Sequence, residues 1–295
     1  MKKLLLFLAI VLVTNGATYF LTREPADEAS YPESETVDRN EPVAEIDGEP
    51  IAFDTWMAYL ETHYGKEALE ALITEEVTEK ISAEENISIN EKIIDLEVMR
   101  MHTLYGQLPE SQVAQREALW RDNIQSRLLM ERLLTRDVSV SDADIDAYYQ
   151  EHQKDFEFSR WIELSEIEVA SKETADTIYQ ALEDGADFHA LAREYATTDE
   201  MLETGGYLGF YSYDSTFLTE DYKSRVDQLE AYSYSEPFQT GSGYSIVHLG
   251  RDLPAVTLSL EDVRDYIRTE LAIEELAYLP DAQTLWKERN VEWIY

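Results

Sequence analysis

One phrase occurs three times in this chain: ISINEKIIDLEV from Ile87, VSVSDADIDAYY from Val138 and VTLSLEDVRDYI from Val256. In each, an apolar, hydroxyl-bearing stretch runs into Asn90, Ser141 or Ser259, residue types that cap a helix N-terminus, and acids follow in the first turn, where the helix dipole favours them. These are three helix starts of one design. Their unequal spacing excludes a solenoid. Two lie before residue 156 and one after residue 252, so the chain between reads as an insertion that splits one helical lobe.

The surrounding sequence fits that division. Asp47-Gly48, between short apolar stretches, suits a two-residue hairpin turn. From Asp54 to about Arg136 the pattern is helical, with Ile124, Leu128 and Leu129 at i, i+4 and i+5. Residues 156–252 change character. RWIELSEIEVA alternates as a strand, two amphipathic helices break at Asp184-Gly185, TGGYLGFYSY is a glycine loop into aromatics, and GYSIVHLG is a closing strand. The fold class expected is α+β, with an α+β domain set into a helical lobe made from both ends of the chain.

Lys2 and Lys3 precede an apolar run from Leu4 to about Leu21, close to the ~20 residues of a spanning helix. TNGA is a poor cleavage site, so an uncleaved anchor is expected, with the rest of the chain outside the cytoplasm; a cleaved signal peptide is the competing reading. Residues 23–41 are rich in Pro, Glu, Asp and Ser and read as a linker. The expected organisation is an anchor or signal peptide over 1–22, a linker over 23–41, a helical lobe over 42–155, the inserted domain over 156–252 and a helical segment over 253–295 that completes the lobe. The 24 Lys and Arg stand against 61 Asp and Glu, a net charge of -37, which argues against nucleic acid as a partner. With no cysteine there is no disulfide, thiolate metal site or thiol nucleophile.

Within the inserted domain, Gly185, Asp187, Phe188, Leu191, Ala192 and Tyr195 stand in GADFHALAREY, Gly205, Gly206, Leu208 and Gly209 in GGYLG, Pro237 and Thr240 in SEPFQT, and Gly243 and Tyr244 in GYSIV. In order and spacing they resemble the parvulin-type peptidyl-prolyl isomerases. With the flanking VSVSDADIDAYYQEHQKDF, nearly the whole of the chain after residue 41 resembles the PrsA family of extracytoplasmic foldases. The resemblance implies a parvulin domain in a chaperone lobe, acting on unfolded exported polypeptides.

It also assigns site positions. A family histidine in the first strand corresponds to Glu166, and one in the last strand to Ser245, so both imidazoles are replaced. The acidic or thiol position after the second helix falls at Thr198 or Asp199. The prolyl pocket falls at Leu208, Phe217 and Tyr222, and Thr240 keeps the family hydroxyl. Rotation about an X-Pro bond faces a barrier of ~20 kcal/mol and breaks no bond, so a pocket that desolvates and twists the amide supplies part of the catalysis. Weak or absent isomerase activity with a surviving peptide groove is expected. The alternative is a working isomerase in which Glu166, Asp199 and Thr240 form a substitute network; a third reading is a structural envelope protein. A homodimer is compatible with the sequence.

The remaining constellations point to no cofactor or metal. His63, His102, His152 and His189 fit no metal pattern and are expected at the surface or at helix ends. His248, three residues beyond Ser245, is expected on the opposite strand face, as a surface histidine at the strand edge. Asp142, Asp144 and Asp146 imitate a calcium loop, but Ala147 stands at its glycine and Gln153 at its bidentate acid.

Overall fold

The computed structural model describes residues 37–276 and 278–295. The expected anchor and most of the linker lie outside the described residues. Two compact units divide at Glu67 and Ala68. In the described part of the first, β1 (Pro42–Ile46) and β2 (Glu49–Ala52) pair antiparallel, and Asp47 and Gly48 both have positive φ, as the two-residue turn requires. The long helix α1 (Phe53–Glu85) starts here and runs into the second unit.

The second unit continues with α2 (Glu91–Tyr105), α3 (Glu110–Thr135) and α4 (Asp142–His152), a 3-10 turn and β3 (Glu157–Phe158). After the α+β core come β9 (Val256–Thr257), which pairs with β3, then α9 (Leu260–Leu276) and α10 (Gln283–Trp286). The expected caps are in place. Asn90 accepts from the Lys92 amide at 3.1 Å, Ser141 from Asp144 at 3.2 Å and Ser259 from Asp262 at 3.3 Å. Asp262 closes the last box by accepting from the Ser259 amide at 2.9 Å. The apolar faces so aligned meet in one cluster, in which Ile93, Leu96, Trp120 and Ile145 from before the sheet pack with Leu258, Val263 and Ile267 from after it.

The sheet is antiparallel throughout, in the order β5 (Tyr207–Ser212), β4 (Trp161–Val169), β8 (Tyr244–Leu253), β6 (Ser233–Tyr234), and β7 (Phe238–Gln239) pairs with the other end of β8. One face is covered by α5 (Lys172–Glu183) and α6 (Phe188–Glu194), where Ile167, Val169 and Ile246 pack with Ile178, Leu182 and Phe188. The other carries Ile162, Leu164 and Leu249 under Leu218 and Val226, the latter on α8 (Glu220–Val226). The short helix α7 (Asp199–Thr204) ends on Gly205 in the left-handed conformation. This is an α+β architecture with helical elements flanking the sheet.

The sheet and helical cores are not insulated from each other. Trp161 of β4 and Phe210 of β5 pack against the helical cluster. A buried polar chain joins them as well: Arg251 of β8 makes two hydrogen bonds to Glu163 of β4, at 2.7 and 2.8 Å, and one to His102 Nδ1 of α2 at 2.5 Å. His102 Nε2 in turn donates to Glu117 of α3 at 2.6 Å. His102 is 2% exposed, which corrects the expectation of a solvated or capping histidine. Burial in a tightly packed aromatic site, with Trp120 edge-on at 5.0 Å, and the adjacent Arg251 both hold its pKa below the ordinary value.

Candidate peptide groove

Alternation along β4 puts Leu164, Glu166 and Glu168 on one face and Ser165, Ile167 and Val169 on the other. On β8 the register sets Val247 opposite Glu166 and Ser245 opposite Glu168, and Phe238 of β7 lies opposite Ser245 on its far side. The two positions that resemble family histidines therefore share one sheet face. Helix α8 brings Tyr222 over it. The Tyr222 hydroxyl donates to Glu166 Oε1 at 2.5 Å, and its ring meets Phe238 edge-on at 5.3 Å. Burial first, then the bond to Glu166, push the Tyr222 pKa up.

Ser245 is fully buried, and its Oγ has no hydrogen-bond partner of ordinary geometry. It still lies close enough to the Tyr222 phenol to oppose part of that rise. Thr240 bonds elsewhere: its hydroxyl donates to Glu168 Oε1 at 3.0 Å and accepts from the Gly243 amide at 3.1 Å. Ser242 also donates to Glu168 Oε1. Asp199 is exposed in the first turn of α7 and makes no hydrogen bond or ion pair among the described residues. The structure thus joins Glu166 with Tyr222 and Thr240 with Glu168, and leaves Asp199 apart.

The pocket residues line the adjoining surface. Leu208 and Tyr222 pack half-buried against the cluster of Ile162, Leu164 and Val226. Phe217 is 62% exposed and stacks on Tyr211 with ring centroids 4.8 Å apart. Two glycines fix the frame. A Cβ on Gly206, which has φ +77°, would lie 2.4 Å from the Glu166 carbonyl oxygen, and one on Gly243 would lie 2.2 Å from that of Val169. His248 faces the other way, as parity requires, but it is half-buried against Phe188 and His189 rather than at the surface. Burial lowers its pKa to about 4.

Glu168, Ser242 and Phe238 are functional-face residues that sequence reading passed over. The i, i+2 relation of Glu166 and Glu168 in SEIEV was the available signal for the first of them.

A domain family, the PPIC-type PPIASE domain, matches residues 140–265, a span that includes α4 and the first part of α9. Foldase protein PrsA of Caldanaerobacter subterraneus subsp. tengcongensis is 29% identical over 182 residues, 61% of this chain and 54% of that protein. The chain is similar to PrsA proteins and matches the PpiC-type isomerase domain over residues 140–265. Among similar proteins, YacD of Bacillus subtilis (strain 168), named as a candidate peptidyl-prolyl cis-trans isomerase, is 29% identical over 288 residues, 97% of this chain and 94% of its own length. The crystal structure of PrsA from Bacillus subtilis covers 87% of this PrsA-like chain and 96% of its own at 22% identity, with a TM-score of 0.33.

Proposed function

We propose that this protein is an extracytoplasmic foldase of the PrsA kind, tethered to the membrane through residues 1–22, that holds exported polypeptides while they fold. Its parvulin-type domain keeps a peptide groove and has weak or no isomerase activity. The observation that carries the reading is the state of the two histidine positions. Glu166 is tied to Tyr222 and Ser245 is sealed beneath it, so neither position offers an imidazole or an open polar network under a prolyl amide. Apolar surface beside them, at Leu208 and Phe217, remains for a peptide to cover. The Lys-flanked apolar run supports the external location, and the PrsA relatives support the foldase role.

A second feature supports the holding role. No residue of 37–67 is buried, and Trp56, Met57, Leu60 and Tyr64 form a stripe at helical spacing on α1, of which Trp56, Met57 and Tyr64 are more than a third exposed. The test sets a protease-coupled prolyl peptide assay beside suppression of aggregation of an unfolded protein. Suppression with little acceleration of isomerisation is expected. Turnover as fast as a parvulin with both histidines would favour the substitute-network reading, and neither activity would overturn both.

A further inference from the structure

Arg251 of β8 fastens the corner between α2 and α3 to the sheet. On the sheet side its guanidinium makes two hydrogen bonds to Glu163 of β4 and lies over the ring of Phe210 of β5 at 4.7 Å. On the helical side it donates to the Gly106 carbonyl at 2.7 Å and to His102 Nδ1 at 2.5 Å. Gly106, with φ +72°, ends α2, and α3 begins at Glu110. The strands held in this way are those that carry Glu166, Leu208 and Ser245.

A guanidinium donates hydrogen bonds, accepts none and is not deprotonated in proteins. His102 Nδ1 is therefore the accepting, unprotonated nitrogen, and Nε2 carries the hydrogen that goes to Glu117 of α3 at 2.6 Å. A second proton can enter only at Nδ1, where it would set one N–H against another at 2.5 Å and place two cations side by side in a buried site. Glu117 and Glu163 draw that proton in; burial first, then Arg251, oppose it and prevail. Tyr207 of β5, Tyr232 just before β6 and Glu110 of α3 are the further ionisable groups around Arg251 and Glu163. The closed arrangement also leaves a donor over. Arg251 takes both oxygens of Glu163, and the buried Tyr207 hydroxyl beside them has no partner of ordinary geometry, a loss that water would make good once the corner lifts.

We propose that Arg251, His102 and Glu117 form an acid-released latch between the sheet and the helical lobe, closed while His102 is neutral and open once Nδ1 takes a proton. Arg251 keeps its hold on Glu163 and Phe210, both within the sheet, so the part that leaves is the corner from His102 to Glu110. A helix end followed by a short turn opens locally more easily than a strand in the middle of a sheet. Its release uncouples the strands that carry the groove positions from the helical lobe and bares Phe210, which packs against the helical cluster when the latch is closed. The latch does not depend on what the groove binds.

The test is hydrogen exchange of the full chain read by mass spectrometry at pH 8 and pH 5, corrected for the intrinsic pH dependence of exchange. A released imidazole takes its proton near 6.5, so opening of segment 102–110 is expected to rise about tenfold at pH 5. In His102→Gln, whose side-chain oxygen can accept from Arg251 and whose amide can donate to Glu117 at either pH, the rise is expected to stay below about twofold. Imidazole nitrogen NMR of the unmodified protein covers the case of a glutamine variant that does not fold. It is expected to show hydrogen on Nε2 alone at pH 8, and protonation of Nδ1 over the range in which exchange of the corner rises. Equal protection of 102–110 at the two pH values, a rise as large in His102→Gln as in the unmodified protein, or hydrogen on Nδ1 at pH 8 overturns the latch.

Discussion

The Tyr222 hydroxyl donates to Glu166 Oε1 at 2.5 Å above the fully buried Ser245, and Glu166 and Ser245 are the two positions that the resemblance aligns with family histidines. Glu166→His together with Ser245→His is expected to raise the rate of prolyl isomerisation, measured by a protease-coupled assay, and neither change alone is expected to suffice if the rings act through one network. Overpacking at the fully buried Ser245 should cost about 1–3 kcal/mol, read from urea denaturation. Tyr222→Phe, which removes the donor from a half-buried carboxylate, should cost about 1–2 kcal/mol. A double-histidine variant with unchanged turnover would show that the lost imidazoles do not limit the rate.

Arg251 and Glu163 are 5% and 7% exposed on the side chain, so their pairing resists solvent. Arg251→Met leaves Glu163 buried without its partner and should destabilise the fold by about 3–5 kcal/mol, whereas Arg251→Met/Glu163→Leu should cost less than the single change. The same chain makes stability sensitive to acid. His102 is kept neutral in the folded protein, and the unfolded chain gains a proton below about pH 6.5. Its contribution is therefore complete above that pH and lost as the pH falls. His248 acts in the same direction between about 6.5 and about 4. Measured in Glu270→Gln, which removes a carboxyl that titrates in the opposite sense over the same range, denaturation midpoints that stay flat from pH 7 to pH 4 would contradict this.

Glu270 on α9 works in the opposite sense. Burial raises its pKa to about 7, with Glu131 of α3, Glu274 of its own helix and Glu97 of α2 adding to the rise, and Arg127 of α3 opposing it. Tyr266 and Tyr148 of α4 complete its surroundings. Arg127 is already engaged by Glu97 at 2.5 Å and Glu131 at 3.1 Å. The unfolded chain loses the Glu270 proton near pH 4.5 and the folded protein near 7, so folding loses stability as the pH rises through that window. Glu270→Gln should match the unmodified protein at pH 4 and exceed it by about 1–3 kcal/mol at pH 8. Equal stability of the two at pH 8 would refute the assignment.

Local chemistry was legible in the sequence. Asn90, Ser141 and Ser259 cap their helices, Asp47-Gly48 turns its hairpin, and Asp184-Gly185 separates α5 from α6, because each depends on groups a few residues away. Strand parity likewise put His248 on the face opposite Ser245, whereas the register of β4 against β8 decided that Glu166 shares the face of Ser245. The family resemblance added the site positions, but not their partners. That Tyr222 meets Glu166 across 56 residues, that Thr240 turns to Glu168 across 72, and that Arg251 reaches His102 across 149 were decided by the tertiary structure alone. Helix caps and strand alternation are set by backbone geometry, which repeats along the chain. Which hydroxyl satisfies which carboxylate, and whether an arginine inside an apolar strand finds its counter-charge, depends on where separate elements come to rest against one another. No pattern of residue types along the chain carries that information.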